Sequence, residues 1–158
     1  MRGKIRFLLL LCAIAAGSIG FSKPSISSQA ILDEVNQDRM QLGFSQLSLS
    51  PTLSLAAYSK AQDMIANDYF AHISPSGVKP WHWFRALGYA YTYAGENLAA
   101  GYTNASELEE SWMNSPPHRA NILSPFYDEL GLAMVASGDT TLVVQFFGSR
   151  NNRVSLRE

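Results

Sequence analysis

The chain has 158 residues, of which 47% are hydrophobic and 16% charged, with 12 Lys and Arg against 13 Asp and Glu, three His and one Cys. That length and apolar content fit one globular domain able to bury a core without disulfides, and the aliphatic and aromatic content is too high for a disordered chain. A formal charge of −1 with no basic run argues against a nucleic-acid binder, and a single cysteine excludes a disulfide scaffold or a multi-Cys zinc module.

The chain opens with Arg2, Lys4 and Arg6, then an apolar run over residues 7–16, then the small residues Gly17, Ser18 and Gly20. A basic start, a short apolar stretch and a small-residue end predict a secretory signal peptide over residues 1–20. The run is shorter than the roughly 20 residues that span a bilayer, and an uncleaved anchor is the alternative. Cys12 follows Leu9-Leu10-Leu11, a poor setting for lipid attachment. Cleavage after Gly20 removes the cysteine and three basic groups, leaving an acidic, thiol-free chain with no membrane span. Export without disulfides fits a bacterial protein, secreted or held in the envelope or periplasm.

Residues 21–29 are Ser-rich and read as a tether. From Ala30 onward Ile31, Val35 and Leu42 recur at helical spacing, with Asp33, Glu34, Asp38 and Arg39 on the other side and Gly43 as the stop. Ser50-Pro51 is a helix start, a Ser cap with Pro at the first helical position, and Leu53, Ala57, Ala61, Met64 and Ile65 form its apolar stripe. Residues 68–79, with Pro75 and Gly77, make a loop. Pro80 opens a short helix closed by Gly88. Residues 89–101 are aromatic, then Gly-broken, and extended. Asn104-Ala105-Ser106-Glu107 resembles a capping box, with Leu108 and Trp112 four apart on one face. Pro116-Pro117 reads as the stop of that helix. Leu130, Leu132, Met134 and Ala136 alternate with smaller residues, and after Ser137-Gly138-Asp139 a second run over residues 141–147 alternates as well, which predicts a β-hairpin with a three-residue tip. Residues 150–158 form a polar tail. Helices, an extended segment, a helix and a hairpin make an α+β fold with an antiparallel sheet.

The sequence holds no Gly-x-Ser-x-Gly, Walker loop, His-Glu-x-x-His or Cys-x-x-Cys, and a mature chain without cysteine excludes thiol catalysis. The remaining candidates stand in polar, Gly- and Pro-rich settings. His72 lies in a loop directly after a helix, Glu96 interrupts an apolar extended segment, and His118 follows the Trp112 helix. Imidazole serves both as metal ligand and as acid or base near neutral pH, and a neighbouring carboxylate fixes its tautomer or completes a cation site. Spacing alone scatters the three, and backbone-bonded loop histidines or a turn-capping glutamate explain them equally well. His82, between Trp81 and Trp83, reads as a packing or surface residue.

Four motifs in one order carry a resemblance: Phe70-Ala71-His72, Gly95-Glu96-Asn97-Leu98, the run from Trp112 through Ser115-Pro116-Pro117-His118-Arg119-Ala120-Asn121 to Leu123, and Gly131 followed by Val144-Gln145-Phe146-Phe147. Together they resemble the CAP superfamily of cysteine-rich secretory, antigen five and pathogenesis-related proteins, in its disulfide-free bacterial branch. The resemblance places the domain at residues 30–149. It implies an α-β-α sandwich with a small antiparallel sheet between helical layers, and a cleft in which His72, Glu96 and His118 converge on a divalent cation such as zinc. Asn97 and Ser115 are then expected to line the cleft. Ser115 stands where the family carries a second glutamate. Glu109 or Glu110 is the only nearby substitute, and both read better as solvated acids on a helix face. Arg119 is expected to pair with Asp128 or Glu129, with an anionic ligand as the alternative, and Trp83 and Trp112 to sit in the core.

Three functions follow from the resemblance. One is a secreted, monomeric binding module for a lipid, glycan or protein ligand. Another is a metal-dependent hydrolase, since two imidazoles and a carboxylate with an open position activate a bound water. The third is a structural domain with a vestigial polar site. Fold alone does not imply catalysis, and no second carboxylate stands ready as a base.

Overall fold

The computed structural model describes residues 26–150, so the expected signal peptide, most of the tether and most of the tail lie outside the described residues. The elements run α1 (Ser28–Gln41), β1 (Ser48–Leu49), α2 (Pro51–Ala66), α3 (Trp81–Ala86), β2 (Tyr91–Ala100), α4 (Ala105–Met113), α5 (Pro116–Ile122), β3 (Glu129–Ser137) and β4 (Thr140–Arg150). The sheet has the order β1-β3-β4-β2. Its three long strands are antiparallel, and β1 adds a two-residue parallel edge beside β3 that the sequence reading did not anticipate.

The sheet is covered on both faces, which makes the α-β-α sandwich. On one face Val143 and Phe147 of β4, with Leu130 and Leu132 of β3, meet Ile31 and Val35 of α1, Leu108 and Trp112 of α4 and Ile122 of α5. On the other face Val144 and Phe146 meet Leu53, Ala57, Ala61 and Met64 of α2 and Trp83 and Phe84 of α3. Alternate residues of β4 therefore serve opposite cores, as the period-two geometry of a strand requires.

Local chemistry sets the element ends. Ser27 Oγ accepts from the Ala30 amide, so α1 starts two residues ahead of the expected boundary and takes up the end of the tether. Ser50 caps α2 with Pro51 at its first position, and Asn104 Oδ1 accepts from the Glu107 amide at 3.1 Å. Pro116-Pro117 does not merely stop α4. Ser115-Pro116 repeats the Ser50-Pro51 pattern and begins α5, which puts His118 in a helix's first turn rather than in a loop. The hairpin tip is two residues, because Ser137 pairs with Thr140; Gly138, at φ +58°, takes the first turn position as a type II′ turn requires.

Two polar residues of α1, both buried, fasten neighbouring segments. Asn36 exchanges hydrogen bonds with the Leu47 backbone at 2.7 and 2.9 Å, which fixes the lead into β1. Arg39, expected on the solvent face, is buried instead. Its guanidinium donates to the Ser45, Ile122 and Ser124 carbonyls at 2.6–2.9 Å and so holds the carbonyl end of α5.

Candidate functional site

Lys60 sits in the middle of α2 on its apolar face, between Ala57 and Ala61, and is fully buried. Its ammonium donates to the Tyr69 hydroxyl at 3.0 Å and the His72 carbonyl at 3.1 Å, over the faces of the Tyr69 and Trp83 rings. The Tyr69 hydroxyl in turn donates to Asp63. A buried ammonium needs such partners, and burial pulls its pKa down while Glu96 and Asp63 oppose that. The loop after α2 is thereby tied to the helix at the residue whose side chain lines the adjoining cavity.

That side chain is His72. Its Nδ1 lies 2.5 Å from Oε1 of Glu96, the imidazole half exposed and the carboxylate buried. Glu96 projects from β2 towards the α2 layer, and its other oxygen, Oε2, is buried with no hydrogen-bond partner among the described residues. The bond from Glu96 raises the His72 pKa, against burial and the nearby Lys60, which lower it. A cavity of about 360 Å³ opens over this pair, lined also by Ile73, Lys79, Pro80, Trp81, Gly95 and Asn121. A polar centre with an apolar and aromatic wall, at that volume, suits a small ligand group.

His118 approaches from α5. Burial lowers its pKa, and the charge of His72 lowers it further, so the two imidazoles lie within each other's field. Its ring is 6.5 Å from that of Trp112, and it does not line the cavity over His72. Asn97 and Asn121 fix α5 against the sheet. Asn121 Nδ2 donates to the Glu96 carbonyl at 3.0 Å and to Asn97 Oδ1 at 2.8 Å, and Asn97 Nδ2 donates to Gln145 Oε1 at 2.9 Å and the His118 carbonyl at 3.3 Å.

The structure thus joins His72 to Glu96 and sets His118 nearby. Asn97, expected on the cleft wall, is fully buried beneath it as a tie between β2, β4 and α5. Ser115 is half-buried at the α5 N-cap position and lines no part of this cavity. Among the described residues no three His, Cys, Asp or Glu side chains converge as ligands of one ion. Lys60 and Asn121 are the residues that the sequence reading missed. A charge at apolar spacing in α2 was the available signal for the first, and the Trp112–Leu123 motif already contained the second. Arg119 does not meet Asp128 or Glu129: it acts on Asp38, while Glu129 pairs with Arg150 at 3.1 Å. Glu109 is buried and lies apart from this cleft, contrary to its reading as a solvated acid.

Residues 32–147 match the model of the cysteine-rich secretory protein family, CAP. The uncharacterized protein YkwD of Bacillus subtilis (strain 168) is 36% identical over 127 residues, 80% of this chain and 49% of that protein, so the chain spans about half the length of this relative. Among solved structures, an outer surface protein from Borrelia burgdorferi superposes with a TM-score of 0.71 at 22% identity, covering 82% of this chain and 99% of that one. An extracellular SCP-domain protein from Bacillus anthracis does so with a TM-score of 0.69 at 27% identity, covering 77% and 40%. Among the described residues no helix is long and apolar enough to cross a membrane. With the family model spanning nearly the whole sandwich, the chain belongs to the cysteine-rich secretory protein (CAP) family.

Proposed function

We propose that the chain is a secreted binding module that takes a divalent cation, zinc first, between His72 and His118, and with it a lipid, glycan or protein ligand of the cell envelope. The descriptions of the Borrelia protein as outer-surface and of the Bacillus anthracis protein as extracellular support export. The observation that carries the site is the 2.5 Å contact of His72 Nδ1 with Glu96 Oε1. A carboxylate on Nδ1 holds the neutral imidazole in the tautomer whose Nε2 lone pair is free, and it strengthens that nitrogen as a donor.

The donor chemistry fits zinc with a restriction. Glu96 is engaged behind His72, so the chain offers two imidazole nitrogens, fewer than the three protein ligands usual in catalytic zinc sites. Such a cation exchanges readily and leaves positions for a ligand's oxygen atoms. When bound, it supplies a Lewis acid to which a carboxylate, phosphate or sugar hydroxyl can attach.

A calorimetric zinc titration of the protein beside the His72→Ala/His118→Ala double variant tests this reading. One-site binding weakened by at least about tenfold in a folded variant is expected, as for lost metal-site partners elsewhere. Equal affinity in both proteins would overturn it. Binding should also fade as pH falls and the imidazoles protonate, His72 before His118 because Glu96 raises its pKa. Turnover of an envelope substrate that disappears with the two histidines would replace the binding module by a hydrolase at the same site.

A further inference from the structure

A second polar site lies on the other side of the molecule, where α1 packs against α4. A cavity of about 340 Å³ opens at this seam, lined by Glu34 and Asp38 of α1 and by Glu109, Glu110 and Met113 of α4. It shares no lining residue with the cavity over His72. Glu109 is only 3% exposed, and both its carboxylate oxygens are buried with no hydrogen-bond partner among the described residues. A carboxylate in that position is destabilising unless a proton or a counter-cation meets it.

Among the described residues the surroundings supply no counter-cation: no Lys or Arg of theirs lines the cavity, and Arg119 of α5 is felt at Asp38 without forming a salt bridge to any lining acid. Asp38 and Glu34 add negative potential to a carboxylate already penalised by burial, and together these push the Glu109 pKa up to about 8. An apolar residue or a glutamine would fill the same space in α4 without that penalty.

We propose that this seam is a binding site for a small organic cation, a primary ammonium or guanidinium seated on Glu109 between Glu34 and Asp38. An organic cation fits better than a bare metal ion for two reasons. The acids are close enough to act on one another's charge, yet among the described residues no three of them converge as ligands of a single ion. An ammonium or guanidinium carries several N–H donors and can reach separated carboxylates at once.

Binding requires ionised Glu109, so near pH 7 the site releases a proton as the cation enters. The test is a titration of the ¹⁵N-labelled protein with cadaverine at pH 7 and low ionic strength, alongside potassium chloride and calcium chloride. Calorimetry in buffers of different ionisation enthalpy counts the protons released. Saturable shifts confined to amides around Glu34, Asp38 and Glu109, with proton release, are expected. Glu109→Gln should weaken binding by at least about tenfold, the loss of one charge-assisted hydrogen bond. Asp38→Asn, a change outside the core, should weaken it by a smaller factor and covers the case of a Glu109 variant that fails to fold. Shifts reproduced by potassium chloride, binding unchanged in both variants, or calcium bound where cadaverine is not would each overturn the proposal.

Discussion

Glu96 touches one nitrogen of His72, and the charges around that ring decide when it carries a proton. The hydrogen bond to Glu96 is the largest influence and raises the pKa, while burial and Lys60 lower it. Glu96→Gln removes the acceptor charge and leaves the two opposing influences. The His72 pKa, read by NMR titration of metal-free protein, should therefore fall from above its ordinary value of 6.5 to below it. A pKa that stays raised in the variant would mean that the 2.5 Å contact does not govern the imidazole. The sign also sets a stability window. A histidine with a raised folded pKa stabilises fully below its unfolded value, and loses that contribution as pH rises through the folded one. Because the His72 side chain is 56% exposed, solvent screening keeps this contribution small.

The elements hold the site by close approaches that tolerate little added volume. At Gly131, where β3 passes under the start of α2, a methyl group would lie 2.2 Å from the Leu53 carbonyl carbon and 2.4 Å from its Cβ. The same crossing carries the Ser50 amide to Leu130 O bond at 2.8 Å and the Leu132 amide to Ser54 Oγ bond at 3.2 Å. Backbone cannot yield there as a side-chain tip can, so Gly131→Ala should destabilise the fold by roughly 2 to 4 kcal/mol in urea unfolding, as overpacking does. A loss below about 0.5 kcal/mol would show that α2 can slide on the sheet. Periodicity and caps made α1, α2, α3, α4 and the hairpin legible in the sequence, because each carries its own start or stop chemistry. α5 was hidden because a Pro pair both ends one helix and begins the next. β1 was hidden because two residues show no alternation, and what fixes it is Asn36, eleven residues before the Leu47 it bonds. The nearness of His72, Glu96 and His118 to one another was legible through the motif order, not through spacing. Lys60, Arg39 and Glu109 were missed for one reason: a charge on a helix reads as solvated until the partner layer is known.

Across the whole molecule these buried charges give stability a pH dependence of definite sign. Glu109 rises from 4.5 to about 8 on folding, so between those values the folded chain holds a proton that the unfolded chain has lost. Stability then falls with rising pH, by about 1.4 kcal/mol per unit from this group. His72 contributes weakly in the same direction. Glu129 opposes it: burial raises its pKa, but its polar neighbours, Arg150 donating to Oε1 at 3.1 Å among them, lower it on balance, so its contribution is lost only as pH falls through the acid range. The protein should accordingly be more stable near pH 5 than near pH 8, and Glu109→Gln should flatten that slope. At pH 8 the variant should exceed the parent by roughly 2 to 4 kcal/mol, less than the full linkage because a glutamine keeps a buried amide. Urea unfolding of both proteins at pH 5 and pH 8 checks this, and parallel curves at the two pH values would place the Glu109 carboxyl in contact with solvent. A cation at the α1–α4 seam would act on the same equilibrium from the other side. It binds the ionised folded form, so cadaverine should raise the parent's unfolding midpoint more at pH 8 than at pH 5, and leave that of Glu109→Gln nearly unchanged.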